Sequence, residues 1–249
     1  MPTTDIFIKT YHKDFVWLEY ALRSIRKFAS GFRDVVIVSD DDGRAIPTSL
    51  LEILPCKVFY VRLPEKQPRN PNHGIGYLWQ QYIKLTWHRY SDADAAVMMD
   101  SDRMFTCPFT PESFQKDGKF RWDYRRWEDV GNAICHKPTT DFFLGFSTQY
   151  EAMAYIPLVF TRASTFALEA HLNTVHKTND LWEIILKHNL PGMSEFNIYG
   201  NFIHHCNHPD YYISYDTSDA YQNSLIGSWS WGGLAEEDRA RREKVLAST

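Results

Sequence analysis

Residues 95–105 read AAVMMDSDRMF, five small or apolar residues running straight into two aspartates, Asp100 and Asp102, with a serine between them. An apolar run of this length reads as a strand buried on both faces, the habit of parallel sheets. Two carboxylates spaced i and i+2 at a strand end, where the chain leaves regular geometry, can both turn toward one point. One or two carboxylates, with water and substrate phosphates completing the shell, are the usual protein share of a Mg²⁺ or Mn²⁺ site. The plainer reading is a turn that ends a strand, since Asp and Ser favour turns. Asp-x-Asp is common by chance, so the surrounding sequence decides between them.

Upstream, DIFIKT at 5–10 alternates as a strand does, and DFVWLEYALRSIRKFAS repeats apolar residues at helical spacing through Phe15, Leu18, Leu22, Ile25 and Phe28. DVVIVSDDD at 34–42 and CKVFYVRL at 56–63 are two further strand candidates, and PEKQPRNPNHGIG at 64–76 is a loop by its Pro, Asn and Gly content. The helical stretch YLWQQYIKLTWHRY then delivers the chain to the quoted run. Strands alternating with helices predict an α/β fold, a doubly wound and mostly parallel central sheet flanked by helices, in a single domain. Asp100 and Asp102 fall at the C-terminal end of its fourth strand, where open α/β sheets bind ligands.

Beyond residue 105 the pattern is less regular. RWDYRRW at 121–127 mixes bases with aromatics, helices are expected near 162–176 and 179–188, and LAEEDRARREKVLAST reads as a charged, exposed helix. The composition is that of an ordinary folded protein, with 249 residues, 44% hydrophobic and 23% charged. A net charge of −4 supplies no global basic field for nucleic acid. No window of about 18 apolar residues and no secretory leader pattern is found, so a cytoplasmic location is expected. Cys56, Cys107, Cys135 and Cys206 lie far apart without CxxC spacing and read as free thiols.

The order strand, helix, VVIVSD, strand, helix and an apolar strand ending in DSD resembles the GT-A fold of nucleotide-sugar-dependent glycosyltransferases with a DxD motif. KTY at 9–11, YLWQQYIKL at 77–85, MMDSDRMF at 98–105, PLVFTR at 157–162 and SEFNIYGNF at 194–202 resemble a bacterial and phage group of such enzymes. The resemblance spans about residues 5–215. It implies a nucleotide-sugar-binding half at 1–105, an acceptor-side half at 106–235 and a charged tail at 236–249. It also implies a nucleotide diphosphate sugar as donor, a UDP-sugar favoured, and Mn²⁺ or Mg²⁺ on Asp100 and Asp102. The metal would offset the charge that develops as the diphosphate leaves.

Carried over by position, Thr10 and Tyr11 would lie against the nucleoside. Asp40 would accept hydrogen bonds from base or ribose. Gln80, Gln81, Lys84 and Asp100 are candidates for the diphosphate or sugar, and Gln80 and Lys84, at i and i+4, share a helix face. For Lys84 the alternative is an exposed helix lysine. Glu195, near a helix start, and Asp141, in TTDFFLG, are the candidate catalytic carboxylates. Glu195 reads equally as an acid complementing the helix N-terminus. One histidine of HHCNHPD, His204 or His208, is a candidate third metal ligand, although surface or satisfied histidines are the plainer reading. SWSWGG at 228–233 reads as a flap or as a packed loop.

The expected acceptor is a hydroxyl of a glycan or small molecule. DNA is a further option, because the arginines and rings of RWDYRRW suit phosphate contact and base stacking, or else a solvated face with its rings in the core. A DxD phosphatase is a rival, but its motif normally opens the domain. A sugar nucleotidyltransferase lacks support, because KTYHKD carries no glycine. A non-catalytic sugar- or metal-binding module on the same fold is the alternative outside enzymes.

Overall fold

The computed structural model describes residues 2–66, 74–154, 156–187, 192–215, 225–227 and 233–248. Strand β1 (Thr4–Thr10) leads into helix α1 (Phe15–Phe28), then β2 (Val35–Asp40), the short α2 (Thr48–Leu51), β3 (Lys57–Val61), α3 (Ile75–Leu85) and β4 (Ala95–Asp100). A fifth strand, Leu158–Thr161, completes a sheet in the order Leu158–Thr161, β4, β1, β2, β3. Pairings among β1 to β4 are parallel and the edge strand Leu158–Thr161 runs antiparallel to β4. The expected fold class, a doubly wound and mostly parallel central sheet flanked by helices, is the one observed.

Register fixes the functional end. Lys9 lies opposite Asp100 and Thr10 opposite Ser39, so the C-terminal ends of β1, β2 and β4 are level. The chain moves one way from β1 to β2 and the other way from β3 to β4. Right-handed crossovers therefore put α1 and α3 on opposite faces. Accordingly α1 packs with α2 and the C-terminal helix Glu236–Ala247, whereas α3 packs with helices Leu181–Lys187 and Glu195–His205. The step between β4 and β1 is the switch point of the sheet, where the two crossovers diverge and leave a crevice.

β1, β2 and β4 are buried almost throughout, as their apolar runs require. β3 differs from the buried strand expected of it. It forms one edge, and Phe59 and Tyr60 are exposed. The other edge, Leu158–Thr161, is too short to stand out as a strand by periodicity, yet every residue in it is buried. Helices at Arg162–His176 and Leu181–Lys187 fall where helical spacing places them.

One hydrophobic cluster runs from Ile6 to Tyr211 and takes in both halves of the chain. In the second half, Trp122, Tyr199 and Phe160 stack face to face, Phe160 and Tyr199 with centroids 3.7 Å apart. Gly200 lets this stack close. A Cβ there would lie 2.4 Å from the Ala152 Cβ and 2.7 Å from the Trp122 Nε1. Gly200→Ala is therefore expected to cost about 1–3 kcal/mol through overpacking, read as a lower denaturation midpoint at unchanged m-value.

The rings of RWDYRRW belong to this core. Trp122 donates to the Ala152 carbonyl, Tyr124 to that of Gly200 and Trp127 to the Thr148 hydroxyl. Arg121 pairs with Asp123, Arg125 with Glu151 and Arg126 with Glu128. The segment thus has no ring free to stack on a base, which corrects the stacking role considered for it. All four cysteines are free, and no described helix is long and apolar enough to cross a membrane.

Candidate functional site

A cleft of about 590 Å³ opens at the C-terminal ends of β1 and β2, lined by Lys9, Thr10, Tyr11, Asp14, Asp40 and the α3 residues Tyr77 and Gln80, among others. Its floor is polar in an otherwise apolar sheet. Lys9 is buried and donates to Asp40 Oδ1 at 2.7 Å and to the Thr10 carbonyl at 2.7 Å. Burial pulls its pKa below the ordinary lysine range, and Asp40 recovers part of the loss. Thr10 is buried too, and its Oγ1 hydrogen-bonds to no described residue. Tyr11 is exposed at the rim. Thr10, Tyr11 and Asp40 are thus brought together, with Lys9 as an addition that sequence reasoning missed.

The signal for Lys9 was present. A lysine inside a strand buried on both faces must find an acid.

The acid turn borders this cleft. Ser101 donates to Asp14 Oδ2 at 3.3 Å, and Gln80, which lines the cleft, donates to Asp100 Oδ1 at 3.3 Å. Behind them lies a charged cluster. Lys84, 1% exposed, donates to Asp100 Oδ1 at 2.5 Å and to Glu195 Oε1 at 2.7 Å. Its ammonium also sits 4.7 Å from the centre of the Phe196 ring. Burial alone would lower the pKa of Lys84, but the two carboxylates outweigh it and hold the amine protonated, above its ordinary range. Burial would raise Asp100, and Lys84 outweighs that in turn, so its carboxyl stays below the usual range. Glu195 goes the other way. Burial, with repulsion from Asp100, pushes it up despite Lys84.

Lys84 is therefore no exposed helix lysine. Its shared face with Gln80 is used, because both reach the same oxygen of Asp100. Gln81 points elsewhere. Its Oε1 accepts the Glu195 backbone N–H at 2.7 Å, which caps the helix Glu195–His205 beside the Ser194 hydroxyl that accepts from Asn197. The structure thus places Gln81 in a helix cap and not among the residues that line the cleft.

Asp102 is placed differently from Asp100. Its Oδ1 is buried and hydrogen-bonds to no described residue. The nearest cation, Arg103, holds its Nε 3.7 Å away, too far for a hydrogen bond. Burial, then repulsion from Asp100, pushes the Asp102 pKa up to about 6, with Arg103 opposing. Arg103 itself is pressed against the strand Leu225–Gly227, where a Cβ on Gly227 would sit 1.9 Å from its Nη1.

The other candidates are not brought here. Asp141 pairs with Lys137 at 2.5 Å and accepts from the Thr148 backbone and hydroxyl, a clamp on its own loop. His204 lies nine residues beyond Glu195, roughly 14 Å along the helix at 1.5 Å per residue. It meets the Tyr215 hydroxyl at 2.8 Å, among Tyr124 and Tyr150. His208 sits beside Asp210, which accepts from Thr161, and Thr161 pairs with Ala95 at the far end of β4. Five residues of strand, roughly 17 Å, separate that end from Asp100. Neither histidine completes a shell at Asp102. No group of three or more His, Cys, Asp or Glu among the described residues is arranged to hold a metal ion. Residues 228–232 of SWSWGG lie outside the described residues.

The donor set thus fits one kind of metal ion only. Asp102 offers a carboxylate oxygen that no described residue hydrogen-bonds, while Asp100 has one oxygen committed to Lys84. That suits a Mg²⁺ or Mn²⁺ ion completed by water and substrate phosphates, and not an ion caged by protein alone.

No family model matches the chain, and no curated protein matches it. Among solved structures it is similar to the crystal structure of mouse xyloside xylosyltransferase 1 in its apo form, with 11% sequence identity, 84% of each chain covered and a TM-score of 0.45.

Proposed function

We propose that this chain is a nucleotide-sugar-dependent glycosyltransferase that binds its donor in the cleft at the ends of β1, β2 and β4. The observation that carries the reading is a polar cleft at the C-terminal ends of β1 and β2, next to the switch point and bordered by an acid turn whose Asp102 Oδ1 is buried and bonded to no described residue. Thr10, Tyr11, Lys9 and Asp40 would meet the nucleoside, whose hydroxyls and imide N–H groups suit a carboxylate and a threonine hydroxyl. Asp102, with the outer oxygen of Asp100 or a water on it, would hold Mn²⁺ or Mg²⁺ against the diphosphate. When bound, that ion neutralises charge on the departing diphosphate.

The chain's own groups set the stage for it. Lys84 fixes Asp100 and prevents it from swinging into the cleft. Gln80 shares that task from the cleft side. Glu195 is 2% exposed and bonded to Lys84, so it supports this cluster from behind and does not face an acceptor. Asp141 is likewise engaged elsewhere. We therefore assign the positioning of Asp100, and not proton abstraction, to Glu195.

The acceptor is a hydroxyl, and a glycan or small molecule suits the site better than DNA, because the rings of RWDYRRW are buried. The direct test is a thermal-shift panel of nucleoside diphosphates and their sugars with and without Mn²⁺. At a ligand concentration about 100 times its Kd, a binder adds about 2.7 kcal/mol. For a chain of this size that is a rise of roughly 5–10 °C. The reading fails if no nucleotide raises the midpoint with either ion.

A further inference from the structure

The C-terminal helix Glu236–Ala247 carries the one element of the acid turn that its sequence gave no reason to expect. It is highly charged, yet Arg242 within it is 0% exposed. Its guanidinium lies 4.7 Å from the centre of the Trp17 ring and 5.8 Å from that of Tyr20, both on α1. From there Nη2 donates to the backbone carbonyl of Asp102 at 2.8 Å. The helix is locked in place around this contact. Glu243 takes both terminal nitrogens of Arg23, at 2.7 and 2.8 Å, and the Tyr20 hydroxyl at 2.9 Å. Lys27 donates to the Val245 and Leu246 carbonyls at the helix end, which suits the negative end of the helix dipole.

We infer that Arg242 is a positioning residue for the metal-binding turn, and that the C-terminal helix is part of the donor site and not a tail. This rests on the reading of Asp102 as a metal ligand. The physical case is one of pre-organisation. A turn with two acids in two steps is pushed apart by their repulsion. Asp100 is held by Lys84, but the Asp102 side chain has no hydrogen-bonding partner among the described residues to fix it. A planar guanidinium sandwiched between an aromatic face and a peptide carbonyl holds the backbone of Asp102 instead, and leaves the carboxylate free to bind. Lysine has neither the plane nor the fork to do both. The same contact brings a buried positive charge beside Asp102 without consuming its oxygen.

The probe is Mn²⁺, titrated into the full chain with and without a fixed concentration of UDP and followed by the electron paramagnetic resonance of the free ion. Wild-type protein is expected to bind one ion, and Asp102→Ala to abolish that binding. Arg242→Met keeps an apolar stem against Trp17 and removes the donor, and is expected to weaken Mn²⁺ at least tenfold. Arg242→Lys, which retains the charge, should recover only part of the affinity, and it carries the test if the methionine variant does not fold. Gly200→Ala, which overpacks the core away from the acid turn, should stay within twofold of wild type and so separates positioning from general destabilisation. If wild type binds Mn²⁺ and the Arg242 variants bind it equally well, the inference is wrong and the metal site stands. If wild type binds no Mn²⁺ at millimolar concentration even with UDP present, the metal site falls and the inference falls with it.

Discussion

Replacing Lys84 with methionine is expected to lower stability by about 3–5 kcal/mol, the usual penalty for removing one partner from a buried ion cluster. The lysine sits between two carboxylates and is itself 1% exposed. Without it, a fully buried Glu195 faces Asp100, whose side chain is only one-fifth exposed, with no cation between them. Methionine fills similar volume, so the loss reports charge and not a cavity. The melting midpoint should fall by roughly 6–20 °C, and urea titration should give the same loss at an unchanged m-value. Adding Glu195→Gln to Lys84→Met should return part of the loss, because a neutral amide no longer repels Asp100. The two substitutions are then non-additive, as contacting residues are. A lysine that merely decorated α3 would cost under about 0.5 kcal/mol when replaced, and a loss that small would rule out the cluster.

This cluster also shows how far the sequence could be read. Gln80 and Lys84 share a helix face by spacing alone, and Asp100 ends β4 by the apolar run before it. Both are local facts. That Glu195 comes to Lys84 from 111 residues away is a fact of packing, fixed by how helix Glu195–His205 lies against α3. Periodicity in one dimension carries no such information. The same limit explains the histidines. HHCNHPD gathers ligand types in sequence, but helix rise carries His204 away from the acid turn, and the turn that follows the helix leaves His208 at the far end of the sheet. The edge strand Leu158–Thr161 escaped notice because four residues show no period. Arg242 left no trace at all, since one buried arginine in a helix of charges looks like its neighbours. What could be read well was the frame. β1, β2 and β4 are nearly continuous apolar runs because helices cover both faces, and such runs stand out.

Replacing Asp102 with asparagine is expected to abolish every metal-dependent effect while leaving the fold as stable as wild type or slightly more so. The reason is the asymmetry within the motif. Asp100 is neutralised by Lys84 and supports the structure. Asp102 has no such partner among the described residues, and burial together with Asp100 raises its pKa to about 6, so carrying its charge costs more in the fold than in water until a cation arrives. An amide of the same shape removes that disfavoured charge. The rise of roughly 5–10 °C that a nucleotide with Mn²⁺ gives wild type should vanish in Asp102→Asn, with the unliganded midpoint unchanged or raised. Asp100→Asn should do the reverse. It deprives Lys84 of one of its two carboxylates and lowers the unliganded midpoint by several degrees, yet it leaves part of the metal-dependent rise. Two carboxylates two residues apart would then separate into a structural acid and a ligand acid. Equal losses of stability in the two variants, or an Asp102→Asn protein that still responds to Mn²⁺, would show that the motif acts only as a turn.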